Sequence, residues 1–240
     1  EKLRPTSLDE FIGQEHLVGE QGPIRKLLEA GAIISMIFWG PPGTGKTTLA
    51  RLVANYSESR FVQYSAVMGS IKDVRKIISE AKDRTDLMQQ DTILFIDEIH
   101  RFSKSQQDSL LGAVEKGTVT LIGATTENPS FEVISALLSR CQVYTLKPLT
   151  KDQLISLLEN ALSRDEYLSS LSIDLKETDA LLRISGGDAR KLLTLFEIVI
   201  NTFPKDQKIV ITNEVVFSTA QENIAQYDKD GEQHYDIISA

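Results

Sequence analysis

The stretch GPPGTGKT at residues 40–47 constrains the fold more than any other part of this sequence. It matches the pattern G-x-x-x-x-G-K-[ST] at every fixed position: Gly40, Gly45, Lys46 and Thr47. The apolar run SMIFW precedes it and predicts a buried strand, whereas TTLARLVANY has the apolar spacing of a helix. A strand, a glycine-rich loop and a helix in this order predict a phosphate-binding loop. A plain Gly/Pro turn is the alternative, but it leaves the Lys-Thr pair unexplained.

This loop predicts ATP and Mg²⁺ as cofactors. Its backbone N–H groups are expected to face phosphate oxygens at a helix N-terminus, where the dipole favours anions. Lys46 is predicted to contact the β- and γ-phosphates, and the Thr47 hydroxyl to be a Mg²⁺ ligand, since this ion prefers oxygen donors. The predicted nucleotide-binding residues of the loop are Pro41, Pro42, Gly43, Thr44, Gly45, Lys46, Thr47 and Thr48.

A second motif, ILFIDE at residues 93–98, places two carboxylates directly after an apolar strand. In an open parallel sheet, ligands bind outside the carboxyl ends of the strands, so both side chains should face the nucleotide. Asp97 is predicted to hold Mg²⁺ through water, and Glu98 to orient and deprotonate the attacking water. Acidic residues also end strands for solubility alone, but this pair follows a phosphate loop. The combination predicts ATP hydrolysis.

Apolar runs and helical patterns alternate up to Pro148, which predicts an α/β domain with a parallel five-stranded sheet. The predicted strands are Met36–Trp39, Phe61–Tyr64, Thr92–Ile96, Val119–Ile122 and Gln142–Leu146. The predicted helices between them are Lys46–Asn55, Ile71–Lys82, Lys104–Val114 and Phe131–Leu138.

The pattern becomes helical after Pro148, starting with a capping box at Thr150 and Gln153. We therefore expect three parts: a nucleotide-binding domain over 1–148, a small all-helical lid over 149–225, and a polar linker over 226–240. The linker is expected to lead to an oligomerisation region outside this sequence.

Composition narrows the class of protein. The 240 residues are 41% hydrophobic and 25% charged, which is typical of a globular chain. Cys141 is the single cysteine, and the first residues, EKLRPTSLDE, do not resemble a signal peptide. We expect a cytoplasmic protein, nucleoid-associated if bacterial. The net charge of −8 means that any DNA contact must come from a local patch or an assembled ring.

Several further segments resemble the AAA+ ATPases of the clamp-loader group: RPTSLDEFIGQ at 4–14, GATT at 123–126, SRC at 139–141 and GDAR at 187–190. HRFSKSQQD at 100–108 and GATTENPSFE at 123–132 narrow this to the family of replication-associated recombination protein A and the Werner-helicase-interacting protein. The resemblance covers essentially the whole chain. It implies an AAA+ core followed by a helical lid.

The resemblance also assigns roles to individual residues. Thr126 is similar to the first sensor, with Thr125 as the second choice, and Arg140 resembles an arginine finger offered to a neighbouring subunit's ATP. Arg190 resembles the second sensor, which reaches the γ-phosphate from the lid. Ile12 and Gly13 are similar to the segment beside the adenine, although core packing explains the apolar Ile12 equally well. His100 and Cys141 are interpreted as structural.

The family implies a DNA-dependent ATPase in replication-fork maintenance, repair and recombination. Its expected partners are single-stranded, gapped or forked DNA, replication-fork proteins such as single-strand-binding protein, and further copies of itself, with a tetramer expected. The short interval between Glu98 and Leu121 has no room for the DNA-engaging hairpin of branch-migration motors. Arg101 and Lys104 are candidates for phosphate contacts in a central channel, or simply a solvated face.

Two other functions remain open. A clamp-loader-type subunit or ATP-binding adaptor with little turnover would share the loop but has less need of Glu98 and Arg140. A peptide unfoldase would need an aromatic pore loop, where this chain offers only Val67 and Met68.

Overall fold

The computed structural model describes residues 3–66, 70–204 and 207–230, with side chains up to residue 221. Val67 and Met68, the pore-loop candidates, lie outside these ranges. Contacts divide the chain into two compact units, Leu3–Leu149 and a second that begins at Thr150. None of the described helices combines the length and apolarity needed to cross a membrane.

The first unit is built on a parallel five-stranded sheet in the order β2-β3-β4-β1-β5, which confirms the predicted fold class. Its strands are β1 (Met36–Trp39), β2 (Arg60–Ser65), β3 (Thr92–Asp97), β4 (Thr120–Thr125) and β5 (Gln142–Thr145). Phe38 and Phe95 belong to an apolar cluster on one face of the sheet, and Ile37 and Leu94 to a cluster on the other. Because both faces are covered, the central strands are apolar throughout rather than alternating.

Seven helices and one 3₁₀ turn surround the sheet in the described part of this unit. The helices are α1 (Glu15–Val18), α2 (Pro23–Glu29), α3 (Lys46–Tyr56), α4 (Ile71–Met88), α5 (Lys104–Glu115), α6 (Pro129–Glu132) and α7 (Ser135–Leu138), and the turn is Ile99–Arg101. Between β3 and β4 the chain forms only this turn and α5 before reaching the next strand. No hairpin is inserted in that described interval.

The single helix predicted over Phe131–Leu138 is wrong. Val133 is extended (φ −102°, ψ 135°) and separates α6 from α7. The buried Gln107 holds the break, since its side chain donates to the Glu132 carbonyl at 2.9 Å and accepts from the Ile134 N–H at 2.9 Å. Helix α4 also runs further than predicted, to Met88, and its C-cap residue Gln89 is left-handed (φ 52°).

The second unit is helical, as predicted, with α8 (Lys151–Arg164), α9 (Glu166–Ser170), α10 (Asp179–Ser185), α11 (Ala189–Asn201) and α12 (Asn213–Asp230). It also contains two unpredicted three-residue strands, β6 (Ile173–Leu175) and β7 (Ile209–Ile211), which pair in parallel. The backbone of α12 continues through 226–230, so the first part of the predicted linker is helical. The remainder of that segment lies outside the described residues.

Candidate nucleotide site

Three of the sequence motifs meet at the carboxyl edge of the sheet. Strand β4 lies between β1, which leads into the glycine-rich loop, and β3, which ends at Asp97. Trp39 of β1 is paired with Thr125 of β4, and the Gly40 N–H donates to the Thr125 carbonyl at 3.2 Å. The loop, the acidic pair and the GATT segment therefore lie along the same edge of the sheet, as parallel topology requires.

Backbone conformation in the loop depends on glycine at two positions. Gly43 has φ 71° and Gly45 has φ 96°, values that residues with a Cβ rarely adopt. A Cβ on Gly45 would also lie 2.7 Å from Cζ of Phe11. The loop is thus held in its curved form by the packing of the N-terminal segment as well as by its own sequence.

The N-terminus of α3 is open to an anion. Its N-cap is Gly45, and no side chain caps it in the described structure. The first N–H groups of an α-helix have no partner within the helix, and here these include the N–H groups of Thr47 and Thr48. Together with the helix dipole, these donors form an anion site.

Lys46 brings a positive charge to this helix end. Its side chain is buried, at 7% exposure, and Nζ donates to the carbonyls of Gly40 at 2.8 Å and Pro41 at 2.7 Å. Thr44 is also buried and donates its hydroxyl to Pro41 O at 2.9 Å. Thr47 is half-buried in the first turn. The ammonium group is therefore held within the loop.

A glutamine missed by sequence reasoning holds the N-terminal segment against the loop. The amide group of Gln14, which is 3% exposed, donates to Lys147 O at 2.8 Å and accepts from Lys147 N–H at 2.8 Å. Its Nε2 is also 3.5 Å from Thr44 O. The adjacent Ile12 is half-buried and Gly13 is buried with φ 81°, so the predicted adenine-side residues lie next to a segment that contacts the loop.

The acidic pair changes backbone conformation within one residue. Asp97 is the last residue of β3, whereas Glu98 has left-handed dihedrals (φ 56°, ψ 47°). This conformation costs a non-glycine residue about 1 kcal/mol and is found most often at functional sites. It leads the chain from β3 into the 3₁₀ turn.

The Glu98 carboxylate has two neighbours in the turn that follows. His100 Nε2 is 3.2 Å from Oε2, and Arg101 Nε is 3.8 Å from the same oxygen. His100 Nδ1 lies 2.9 Å from Oγ1 of Thr125, which is fully buried. Thr126, the preferred sensor residue, follows the end of β4 and is half-buried. The contact network that reaches Glu98 runs through Thr125.

Arg140 lies between α7 and β5, at the end of the first unit's sequence. Its guanidinium pairs with Glu115 and donates to the Ala136 carbonyl at 2.6 Å and to Ser139 Oγ at 3.0 Å. Its side chain is still 39% exposed, so it remains accessible. Burial raises the pKa of the neighbouring Cys141 thiol to about 11, which makes that thiol a neutral packing group at physiological pH.

Arg190 belongs to the second unit, in the first turn of α11. The N-cap Asp188 accepts from the N–H groups of Arg190 at 2.8 Å and Lys191 at 3.3 Å. The cap fixes the position of Arg190 on its own helix. Its role toward the nucleotide stays a prediction.

The residues at this edge of the sheet carry the chemical groups that bind a nucleotide together with Mg²⁺. The uncapped helix end and the Lys46 ammonium suit a polyphosphate, whereas the Thr47 hydroxyl and the Asp97 carboxylate are oxygen donors of the kind Mg²⁺ prefers. Mg²⁺ usually keeps several waters and needs only one or two protein ligands. The set is therefore sufficient for the ion.

Comparison with known proteins agrees with this geometry. The family model described as the ATPase family associated with various cellular activities (AAA) matches residues 36–149, and a model for the AAA C-terminal domain matches residues 167–240. A solved structure titled as the Thermotoga maritima RuvB Holliday junction branch migration motor is similar, with a TM-score of 0.74 and 29% identity. That match covers 92% of this chain and 73% of the RuvB chain.

Curated relatives match over the full length of the chain. Replication-associated recombination protein A of Coxiella burnetii is 44% identical, and the chain covers 54% of it. ATPase WRNIP1 of Dictyostelium discoideum is 40% identical, and the chain covers 30% of it. The chain spans about half the length of the bacterial relative. The resemblance inferred from the motifs is confirmed, and the chain belongs to the AAA ATPase family, among the relatives of replication-associated recombination protein A and WRNIP1.

Proposed function

We propose that this protein hydrolyses ATP to ADP and phosphate with Mg²⁺, at the sheet edge where β1, β3 and β4 end. One observation supports this best: the uncapped helix end with the buried Lys46 lies on the same edge as Asp97 and Glu98. A loop that only binds nucleotide needs the first half of this arrangement. Hydrolysis requires, in addition, a group such as Glu98 that can activate water.

In the proposed reaction, the phosphates accept hydrogen bonds from N–H groups of residues 43–48 and from the Lys46 ammonium. Glu98 orients a water and takes its proton as the water oxygen attacks the γ-phosphorus and the bond to the β–γ bridging oxygen breaks. Thr47 and, through water, Asp97 would hold Mg²⁺, which would neutralise charge on the β- and γ-phosphates. Thr126 or Thr125 supplies a hydroxyl near the γ-phosphate.

Further copies of the chain complete the site in this proposal. Arg140 acts on the ATP of a neighbouring subunit in a homo-oligomer, with a tetramer as the expected assembly. Arg190 carries the nucleotide state to the lid, and Ile12 and Gly13 contact the adenine. The Arg140 side chain is 39% exposed, so it is accessible to a neighbouring subunit, which is compatible with this role.

The proposed role of turnover is DNA-stimulated work at stalled replication forks, on single-stranded, gapped or forked DNA. The names of the relatives support replication-associated recombination as the setting. Arg101 and Lys104 are exposed, and both follow Glu98 closely in sequence. Phosphate contacts at Arg101 and Lys104 would lie within a few residues of Glu98, so DNA bound there would be placed to affect the position of this carboxylate.

Replacing Arg101 and Lys104 together with alanine is expected to flatten the stimulation of ATP turnover by DNA. The slope of log affinity against log salt should fall by roughly two, because two phosphate contacts are lost. Steady-state ATP turnover with gapped, forked and single-stranded DNA, at several salt concentrations, measures both quantities.

The matched control changes Lys82 and Lys116, which are exposed and lie toward the far ends of α4 and α5. This control variant removes the same amount of positive charge near the opposite edge of the sheet. It should leave the stimulation of ATP turnover by DNA unchanged. If both double variants lose the same amount of DNA stimulation, the loss is explained by the change in net charge and not by a specific site. Unchanged stimulation without Arg101 and Lys104 would remove them from the DNA site.

A further inference from the structure

His100 is the one described side chain that contacts both the Glu98 carboxylate and the neighbouring strand end. It is largely buried, with a side-chain exposure of 12%, in a turn whose flanking residues Ile99 and Phe102 belong to the apolar core. Packing alone is satisfied by an apolar residue at such a position. An imidazole with both nitrogens in contact with polar partners indicates a polar role.

The contact with Glu98 determines which His100 nitrogen must carry a proton. A carboxylate only accepts, so Nε2, 3.2 Å from Glu98 Oε2, must carry a proton. In a neutral imidazole Nδ1 is then an acceptor and takes the Thr125 hydroxyl proton at 2.9 Å, whereas in a charged imidazolium Nδ1–H donates to Thr125 Oγ1 and the hydroxyl donates to Glu127 O at 3.2 Å. Thr125 Oγ1 in turn accepts from the Glu127 N–H at 3.0 Å. Each member of the chain is satisfied.

The same threonine joins this chain to the phosphate loop. The Thr125 carbonyl accepts from the Gly40 N–H, while its hydroxyl binds His100. Contacts thus connect Glu98 to the end of β4 through His100, and the end of β4 to the phosphate loop through Gly40. The 3₁₀ turn, β4 and the loop are distant in sequence but are joined by these contacts. Among the described residues, the other charged neighbour of Glu98 is Arg101 at 3.8 Å, whose side chain is 58% exposed.

We propose that His100 is a positioning residue that holds the Glu98 carboxylate through Nε2 and is itself held by Thr125 through Nδ1. The proposal rests on the proposed role of Glu98 as the base. In this proposal His100 acts through Glu98 and does not bind ATP itself, so its loss should reduce kcat and spare nucleotide affinity. A displacement of about 1 Å in a catalytic group can cost on the order of a hundredfold in rate.

Two conservative substitutions separate the contacts. Asparagine carries its amide near the position of Nδ1, so His100→Asn can still form the contact with Thr125 but loses the contact with Glu98. Glutamine carries its amide near Nε2, so His100→Gln retains a donor for Glu98. We expect kcat to fall about tenfold or more in His100→Asn and only a few-fold in His100→Gln, with the Kd for ATP within about twofold of wild type in both.

The experiment measures kcat, KM and the ATP Kd for both variants, for Glu98→Gln, and for Glu98→Gln combined with His100→Asn under single-turnover conditions. If His100 acts through Glu98, the double variant is no slower than Glu98→Gln alone. Thermal unfolding of all variants tests whether they remain folded.

A normal kcat in His100→Asn overturns the proposal. So does equal loss in the Asn and Gln variants together with a lowered Tm, which would make His100 a packing residue. If Glu98→Gln itself retains turnover, the base assignment fails, and this result is distinct from one in which only the His100 variants are normal.

Discussion

Replacing Glu98 with glutamine is expected to lower ATP turnover by about a hundredfold to ten-thousandfold while ATP still binds. The amide keeps the size of the side chain and its hydrogen-bonding reach, but it cannot accept the proton of the attacking water. The donors that hold the phosphates lie on other residues, above all Lys46 and the N-terminus of α3. Steady-state turnover and equilibrium ATP binding, measured on the same preparation, test the expectation.

Glu127 offers a matched control. It is exposed, it follows β4 by two residues, and its backbone carbonyl and N–H form its hydrogen bonds with Thr125. Glu127→Gln makes the same chemical change and should leave turnover within a few-fold of wild type. Near-normal turnover in Glu98→Gln would remove the base assignment and favour an adaptor that binds ATP by other means.

Replacing Arg140 with alanine is expected to lower turnover by roughly a thousandfold, the typical contribution of an arginine finger. Subunits that carry Arg140→Ala still bind ATP, and subunits that carry Lys46→Ala still offer the finger. Mixing the two should therefore recover activity, up to about a quarter of wild type at equal ratio if sites form between neighbours in one direction. ATP turnover measured at a series of mixing ratios shows how the recovered activity depends on the proportion of the two variants.

The control for this mixture puts both changes in one subunit. Mixing Arg140→Ala with the double variant Arg140→Ala, Lys46→Ala should give no recovery at any ratio, because no intact finger is present. If the first mixture also shows none, and both variants still assemble, Arg140 does not act between subunits. Its contacts with Glu115 and Ser139 would then be its whole role.

The loop and the acidic pair were predictable because their signals are local. A strand, a glycine loop and a Lys-Thr helix start are consecutive in sequence, and parallel topology brings the end of β3 to the same edge. The individual roles of Thr126, Arg140, Arg190, Ile12 and Gly13 remain predictions.

The supporting residues were not predictable, because their partners are distant in sequence. Gln14 binds Lys147, and His100 binds Thr125. The interpretation of His100 as merely structural missed its contact with Glu98, although a polar residue between the apolar Ile99 and Phe102 was a visible signal. Gln107 gave a similar signal, since a glutamine on the apolar side of a helix must find buried partners.

The errors in secondary structure have the same origin. The break at Val133 is held by Gln107 from another helix, so the local pattern of 131–138 gave no sign of it. The strands β6 and β7 are three residues each and pair across more than thirty residues of helical sequence. Short apolar runs of this kind are ambiguous between helix and strand until their partner is known.

The most direct measurement is the structure of the Glu98→Gln variant with ATP and Mg²⁺. The triphosphate should lie along residues 43–48 with Lys46 at the β- and γ-phosphates, and the metal should lie beside Thr47 and, through water, Asp97. A triphosphate bound in any other crevice, or a metal distant from both of these residues, would contradict the assignment of this sheet edge as the site of ATP hydrolysis.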